Sequence, residues 1–569
     1  KICLSGGGPG CYCVWPCSRR GAPPHGGPWR PAPPGPRRAR SMALNDTALV
    51  ACSAAFAAGA NLTGACAGDV GGVEPLELPA ALATASSALL WIAAAVIVGP
   101  WCLAAPAFIA TFLFRVVPGL LFGGGGCRVP KPLSSSVWTI HGKRYDLSSW
   151  VKDHPGGEWA IKLGCNRDCT ALFESYHHFA DRAKLDKVLA RFEIKEGEAA
   201  DAGPAEPKPE GAADNSTGLV FNDAFHEDVK QMVRAHFQGR SPKIEFPTAC
   251  ICITLACAQP VLIYHFLKGS HAALALLPLV AQLLTYNVVH EGSHFSISSR
   301  PWVNSLASCV GMLMSLAPST WHLQHVVQHH VYTNDEDDID LYHFLPVCRT
   351  SRFTGFAKAF KLQWLTLYVV LPTTAGHLLV VVPTDILTGL VDAVTGKRRY
   401  SQVHNLEDFA ARYKGSILLE LLSFLAFLVT AVSLQGLFRT ALLLGMNSYL
   451  FIIVTQGAHL RGDCMVSKEG MGLSWAKRQA ATSFNFRPDS RLWTFLTGGL
   501  NMQSLHHVSP SIHSSHFVAL YPEFKKLCAQ HGVELKESRN IVDFFRGFVH
   551  WIGELAREDD GAAPPAGKR

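Results

Sequence analysis

The chain has 569 residues, of which 48% are hydrophobic and 17% charged, with a formal net charge of +7. It is too long for one ordinary domain and too apolar for a typical soluble one, which points to a multi-domain membrane protein. No Lys/Arg run interleaved with aromatics offers a nucleic-acid surface, and the 17 cysteines, odd in number and without paired CxxC knuckles, read as reduced thiols rather than a disulfide framework.

Residues 1–83 begin Gly-, Pro- and Arg-rich, carry no apolar period and read as a disordered leader, either untranslated before Met42 or a targeting segment. The stretch 84–122 is apolar over a length that spans about 30 Å of hydrocarbon, and reads as a hydrophobic anchor. Mixed charge, short extended patches and helical periodicity from 129 to 194 mark a small α+β domain. The acidic, Pro/Ala/Gly-rich segment 195–218 reads as a flexible linker. A second, mostly helical domain is expected from 219 to 545, followed by a polar tail at 546–569.

Within the second domain the apolar segments are 247–267, 272–289, 302–318, 362–390, 417–434 and 438–458. Histidine clusters lie between and after them, and those clusters can share one site only if they end on the same side of the bilayer. Two crossings before Glu291 and two between Ile417 and Ala458 meet that condition, which leaves the two middle segments lying in the interface.

In the small domain, "WVKDHPGGEWAIKLGCNRDCTALFESYHHF" carries His154-Pro155-Gly156-Gly157 and, some twenty residues on, Phe173 through His178. With the upstream "VWTIHGKRYDLSSW" this resembles the cytochrome b5 family. The resemblance implies heme b held between two neutral imidazoles, His154 on one side and His177 or His178 on the other, with the spacing from Phe173 favouring His177. The Pro-Gly-Gly turn lets the backbone come close, and each ring's far nitrogen can be fixed by a carbonyl. His141 reads as a surface residue.

Three further clusters follow: "HEGSH" at His290 to His294, "HVVQHH" at His325 to His330, and "QSLHH" at Gln503 to His507. On a helix, positions i and i+4 share a face, so His290/His294, His325/His329 and Gln503/His507 can each face a common centre, with the adjacent His330 and His506 widening the arc. That is more imidazole than one zinc site uses, and two irons is the economical reading.

The ordered set resembles the membrane fatty acid desaturases. Gln503 at the head of the third cluster, joined to an N-terminal b5-like domain, is similar to their front-end members, most of all algal and thraustochytrid delta-4 or delta-5 enzymes. The resemblance implies a mostly α membrane protein: a helical transmembrane di-iron core with an N-terminal α+β heme domain. It implies iron ligands at His290, His294, His325, His329, His330, His506 and His507, with Gln503 a ligand or a neighbour of one. An eighth imidazole outside the clusters is expected at His459, in "IVTQGAHLRG", with Thr455 holding a metal-bound water.

His322 reads as a residue behind the ligands or a lid contact, and Asp338 or Asp340 as an acceptor for a ligand's far N–H. Glu291, Ser293 and Gln328 depart from the more frequent family residues without changing the ligand spacing. The implied reaction uses O2, electrons from an NADH–cytochrome b5 reductase relayed through the heme, and an acyl chain on coenzyme A or phospholipid in the membrane. It places a cis double bond between an existing one and the carboxyl end. A b5-fused sphingolipid desaturase or acyl hydroxylase is the alternative. The implied location is the endoplasmic reticulum with heme domain and clusters cytosolic, ahead of a chloroplast membrane.

Overall fold

The computed structural model describes residues 98–101, 136–195, 218–345, 348–388, 403, 405–465 and 474–557, all within one compact unit, Ala80–Arg569. The leader 1–83, nearly all of the anchor 84–122, the body of the linker 195–218 and the last part of the tail lie outside the described residues.

The small domain is built on strands β1 (Trp138–Ile140), β2 (Lys143–Tyr145) and β3 (Arg167–Asp168), in the order β2-β1-β3. β1 pairs with β2 antiparallel and with β3 parallel. Alternation along β1 sends Trp138 and Ile140 inward, where they meet Leu147, Ile161 and Phe173. Helices α1 (Gly157–Leu163), α2 (Thr170–Tyr176) and α3 (Arg182–Leu189) close the domain. Asp181 caps α3 by accepting from the Ala183 amide.

Helix α4 (Ala224–Phe237) opens the larger domain. Phe225, Val229, Val233 and Phe237 recur every fourth residue and are fully buried. The described chain then holds three helices long and apolar enough to cross a membrane: α5 (Phe246–Leu267), α6 (His271–Ser293) and, after α7 (Pro301–Cys309), α8 (318–332) and α9 (Gln363–Gly376, running on to Thr388), the long α10 (Leu406–Gly457). Gly436, at φ 75° and ψ 165°, breaks α10 into two legs.

The tip of that break meets the turn between α5 and α6. Gln435 donates to the Leu267 carbonyl (2.8 Å), and Arg439 to the carbonyls of Gly269 (3.0 Å) and Ser270 (3.2 Å). From there the second leg follows α6, with Gln282 donating to the Asn447 carbonyl (2.9 Å) and Tyr286 to that of Leu450 (2.6 Å). Both hairpins therefore turn at one end, and His290, His294 and His459 lie at the other. This is the parity that the histidine clusters require. On α7 and at the start of α9, Trp302, Leu306, Trp364 and Leu365 are exposed, as on segments that lie against lipid.

The remaining elements are α11 (Trp475–Ala481), β4 (Phe484–Phe486), α12 (Arg491–Thr497), α13 (Gln503–Val508), α14 (Phe517–Gln530), β5 (Lys536–Ser538) and α15 (Ile541–Leu555), with β4 and β5 parallel. The boundary expected at 545 falls inside α15: Phe548, Trp551, Ile552 and Leu555 pack with Leu341, Phe344 and Ile452. The segment is amphipathic, so its polar face gave it the look of a tail.

Candidate metal centre and heme cleft

In the small domain His154 and His177 face each other with ring centroids 6.2 Å apart. His154 Nδ1 donates to the Gly157 carbonyl (3.3 Å) and His177 Nδ1 to that of Phe173 (2.7 Å). Each Nε2 is thereby left to the gap. Two metal–nitrogen bonds of about 2 Å plus the half-widths of two imidazoles come to about 6 Å, so an iron in a heme plane fits between them. Burial, then the neighbouring His177, lowers His154 to about 4, which keeps it neutral for ligation.

His178 turns away, fully buried, against His226 at 5.7 Å. His141 is not a plain surface residue: its Nε2 lies 2.7 Å from Glu174 Oε1. Gly156 must lack a side chain, because a Cβ there would lie 2.8 Å from the His154 ring.

The three clusters converge as expected, but their grouping differs. His290, His294, His325, His330 and His506 offer ligand atoms that all lie within 4.8 Å of one another; His329, His459 and His507 form a second such group. The sequence spacing paired His325 with His329. In the fold, His322–His329 and Thr285–His290 are π-helical, and i→i+5 turns bring residues five apart onto one face. His325 thus joins His330, and His329 goes to the second group.

Within the groups, His325 Nε2 lies 2.9 Å from His294 Nε2 and His506 Nε2 3.2 Å from His330 Nε2. The Gln503 amide nitrogen lies 2.8 Å from His459 Nε2 and 3.3 Å from His507 Nε2, while its oxygen has no hydrogen-bond partner, nor has either nitrogen of His290. Buried imidazole nitrogens gathered within a few ångströms of one another without donors are what cations would satisfy. Burial first, and neighbouring imidazoles after it, hold His325, His330, His506 and His507 well below the ordinary histidine range.

The far nitrogens are held by carboxylates, amides and carbonyls. His329 Nδ1 donates to Asp338 (3.0 Å), His507 Nδ1 lies 3.0 Å from Gln479 Oε1, and His459 Nδ1 lies 3.3 Å from the Thr482 carbonyl. Burial lowers His329, but the charges of Asp338 and Asp340 outweigh it and push the group up to about 9. Asp340 accepts from Gln324 (3.2 Å) and lies 3.0 Å from His343 Nε2. Both acids singled out in the sequence therefore stand behind the second group, whereas Asp335 pairs with Arg478 (3.2 Å).

His322 belongs to neither group; its Nδ1 lies 2.7 Å from the Pro318 carbonyl and its ring rests on Trp159. Thr455 bonds the Phe451 carbonyl of its own helix (3.0 Å). The unusual Glu291 and Ser293 are used locally: Glu291 accepts from Ser296 and the Ser514 amide, and Ser293 donates to the His290 carbonyl.

The sequence reading passed over Tyr176, whose hydroxyl lies 2.6 Å from His294 Nδ1, and Gln479. Tyr176 stands in the chain beside His177, which faces His154, and that adjacency is its only sequence signal. A cavity of about 30 Å³ is lined by His290, His325, His329, His459 and Gln503 together with Leu316, Leu378, Phe451 and Leu500. It has room for about one water, so its walls must part to admit a chain.

A helical core with candidate membrane spans that gathers eight imidazoles beside a cavity, with a small domain attached in which two imidazoles face each other, has the build of a histidine-rich oxidoreductase of the bilayer. Residues 269–539 match the fatty acid desaturase family, and residues 132–199 the cytochrome b5-like heme/steroid binding domain. An acyl-lipid omega-13 desaturase of Chlamydomonas reinhardtii is 32% identical over 458 residues, 74% of this chain and 93% of the relative. Acyl-lipid (8-3)-desaturase B of Dictyostelium discoideum is 26% identical, covering 76% and 94%. Delta(5) fatty acid desaturase A of the same organism is 23% identical, covering 75% and 92%. The chain belongs to the fatty acid desaturase family, as an oxygen-dependent acyl desaturase fused to a heme-binding b5-like domain, with histidine groups that fit two irons.

Proposed function

We propose that this desaturase is a front-end enzyme that introduces a cis double bond at delta-5 of a polyunsaturated acyl chain. His290, His294, His325, His330 and His506 hold one iron, and His329, His459 and His507 with Gln503 the other. His154 and His177 hold the heme. The observation that carries this reading is a single cavity lined by imidazoles of both groups together with apolar side chains. The heme unit spans 129–194, and the core runs from 219 through α15.

Removing two hydrogens from adjacent methylenes while reducing O2 to two waters needs two further electrons and two protons. When bound, the iron pair supplies the oxidising power, fed through the heme. The residues do the rest. Asp338 and Asp340 fix the tautomer and angle of His329, and Gln479 fixes those of His507. Leu316, Phe451 and Leu500 hold methylenes against the metal groups and keep water out, so that position, not intrinsic reactivity, selects the bond.

The names of the relatives favour delta-5, and the omega-13 name favours counting from the methyl end. The two coincide on an eighteen-carbon chain, where the same bond carries both designations. Feeding yeast that expresses the chain with polyunsaturated acids of eighteen and twenty carbons, and locating new double bonds by mass spectrometry, separates the rules. A bond fixed from the carboxyl end on both supports the front-end reading, whereas one that moves with chain length refutes it. The external donor is an NADH–cytochrome b5 reductase, and the membrane is the endoplasmic reticulum with heme domain and metal groups cytosolic.

A further inference from the structure

The heme domain is docked onto the desaturase core by contacts that a freely tethered carrier does not make. Lys230 of α4 reaches Glu174 (3.1 Å), Asn166 donates to Asp408 (3.1 Å), and Trp159 packs on His322 and Tyr413. Gly157, at φ +88°, lies so close to Pro301 that a Cβ would come within 2.5 Å of it. At the centre of this contact stands Tyr176. Its ring lies almost parallel to that of His294, at 15°, and its hydroxyl lies 2.6 Å from His294 Nδ1. Its chain neighbour is His177, which faces the heme cleft. His294 Nε2 in turn sits 2.9 Å from His325 Nε2, inside the five-imidazole group.

The proton has a defined place in this contact. A His294 that offers its Nε2 lone pair to a metal carries its proton on Nδ1, so Nδ1 donates and the Tyr176 oxygen accepts. From the heme-facing imidazole to the metal-facing one, the route is a single peptide unit, one phenol ring and one hydrogen bond.

We propose that Tyr176 is the coupling residue between the two cofactor sites: it orients His294 and carries single electrons from the His177 side to the His294 side. The proposal rests on the ligand assignments above. In each transfer one heme iron goes from ferrous to ferric and one non-heme iron from ferric to ferrous. No bond forms or breaks, and the proton stays between Nδ1 and the phenol oxygen.

The test is Tyr176→Phe, which keeps the ring and removes only the acceptor. The purified full chain is loaded with iron, its heme is reduced with a stoichiometric amount of dithionite under anaerobic conditions, and heme reoxidation is followed by stopped-flow absorbance. Heme content, heme potential and non-heme iron are measured on the same sample. Loss of a hydrogen bond behind a ligand costs about tenfold or more. The expected result, at iron high enough to restore wild-type non-heme iron, is heme reoxidation slowed by about that factor with heme spectrum and potential unchanged.

An unchanged rate overturns the proposal, as does a slowing that vanishes once iron loading is restored to the wild-type level, since Tyr176 would then only hold the metal. His177→Ala examines the underlying assignment separately. Loss of the heme absorbance upholds it, and full heme retention removes His177 from the cleft and takes the proposal with it.

Discussion

Replacing His459 by Gln asks whether an imidazole outside every cluster motif holds a metal. Its ring lies 4.6 Å from those of both His329 and His507, and its Nε2 faces the Gln503 amide at 2.8 Å. The group has three imidazoles, so the substitution removes a third of its nitrogen donors, and a shorter, neutral amide takes the place of a ring whose Nδ1 faces the Thr482 carbonyl. Changing a residue one step behind a ligand costs about 10–100-fold in metal affinity. A ligand itself sets the upper end, about 100-fold, or about 2.7 kcal/mol at 1.36 kcal/mol per decade.

The assay is non-heme iron per chain at limiting iron, alongside turnover of the purified protein. His322→Gln is the matched control, because its nitrogen is used on the Pro318 carbonyl and it belongs to neither group. His459→Gln is expected to lose iron and activity while His322→Gln keeps both at measurable levels. Wild-type iron and turnover in His459→Gln would refute the assignment.

Asp338 is fully buried and receives the His329 Nδ1 proton together with the amides of Asn334 (2.9 Å) and Asp340 (3.0 Å). Asp338→Asn should lower iron affinity by about 10–100-fold, read as the iron concentration that restores half-maximal turnover. Burial alone would raise Glu174, but hydrogen bonds from His141 and Arg182 and the charge of Lys230 outweigh it and hold the carboxyl well below its ordinary range. A depressed native value gives stability that is present above the unfolded value and lost as pH falls through the native one. Docking of the heme domain, followed by the rate of heme reoxidation, should therefore persist through the usual carboxylate range and fail only in stronger acid. Glu174→Gln should remove that dependence, and loss of docking in the wild type at mildly acidic pH would contradict it.

The sequence made the histidine groups legible because metal chemistry is written in residue type and spacing. The three clusters and the solitary His459 come together in two groups of imidazoles, and His154 of HPGG faces His177. Which imidazoles lie together was not legible, since that depends on π turns at 285–290 and 322–329, and nothing in a pattern of four-residue spacings distinguishes an i→i+5 turn from an ordinary one. The span parity was legible for a physical reason, because histidines that must meet cannot be separated by a bilayer. Domain docking was not. The contact is made by Tyr176, Trp159, Gly157 and Glu174, whose partners lie far away in sequence. Residues 195–218 themselves say nothing about what the domain meets at its other end.

The character of that contact bears on how electrons pass. Buried pairs such as Glu174 with Lys230 add little over an apolar contact of the same size, because desolvation offsets their attraction, although neutralising one partner leaves the other charge uncompensated. What holds the domain is apolar: Leu163 packs in one cluster with Tyr286, Val289 and Trp321, and Ala171 in another with Phe225, Trp475 and Leu505. These clusters run through the domain boundary without a break, as they do inside a single core. The edge of the domain beside His154 is shared: Gly157 and Trp159 meet the core at Pro301, His322 and Tyr413, while Lys152, Asp153, Pro155 and Glu158 around them are exposed. Beside His177 the same holds, with Tyr176 against His294 and with Phe179, Asp181 and Arg182 exposed. Both ends of the cleft thus meet the core on one flank and keep exposed residues on the other, so docking and an open rim for an external donor are compatible.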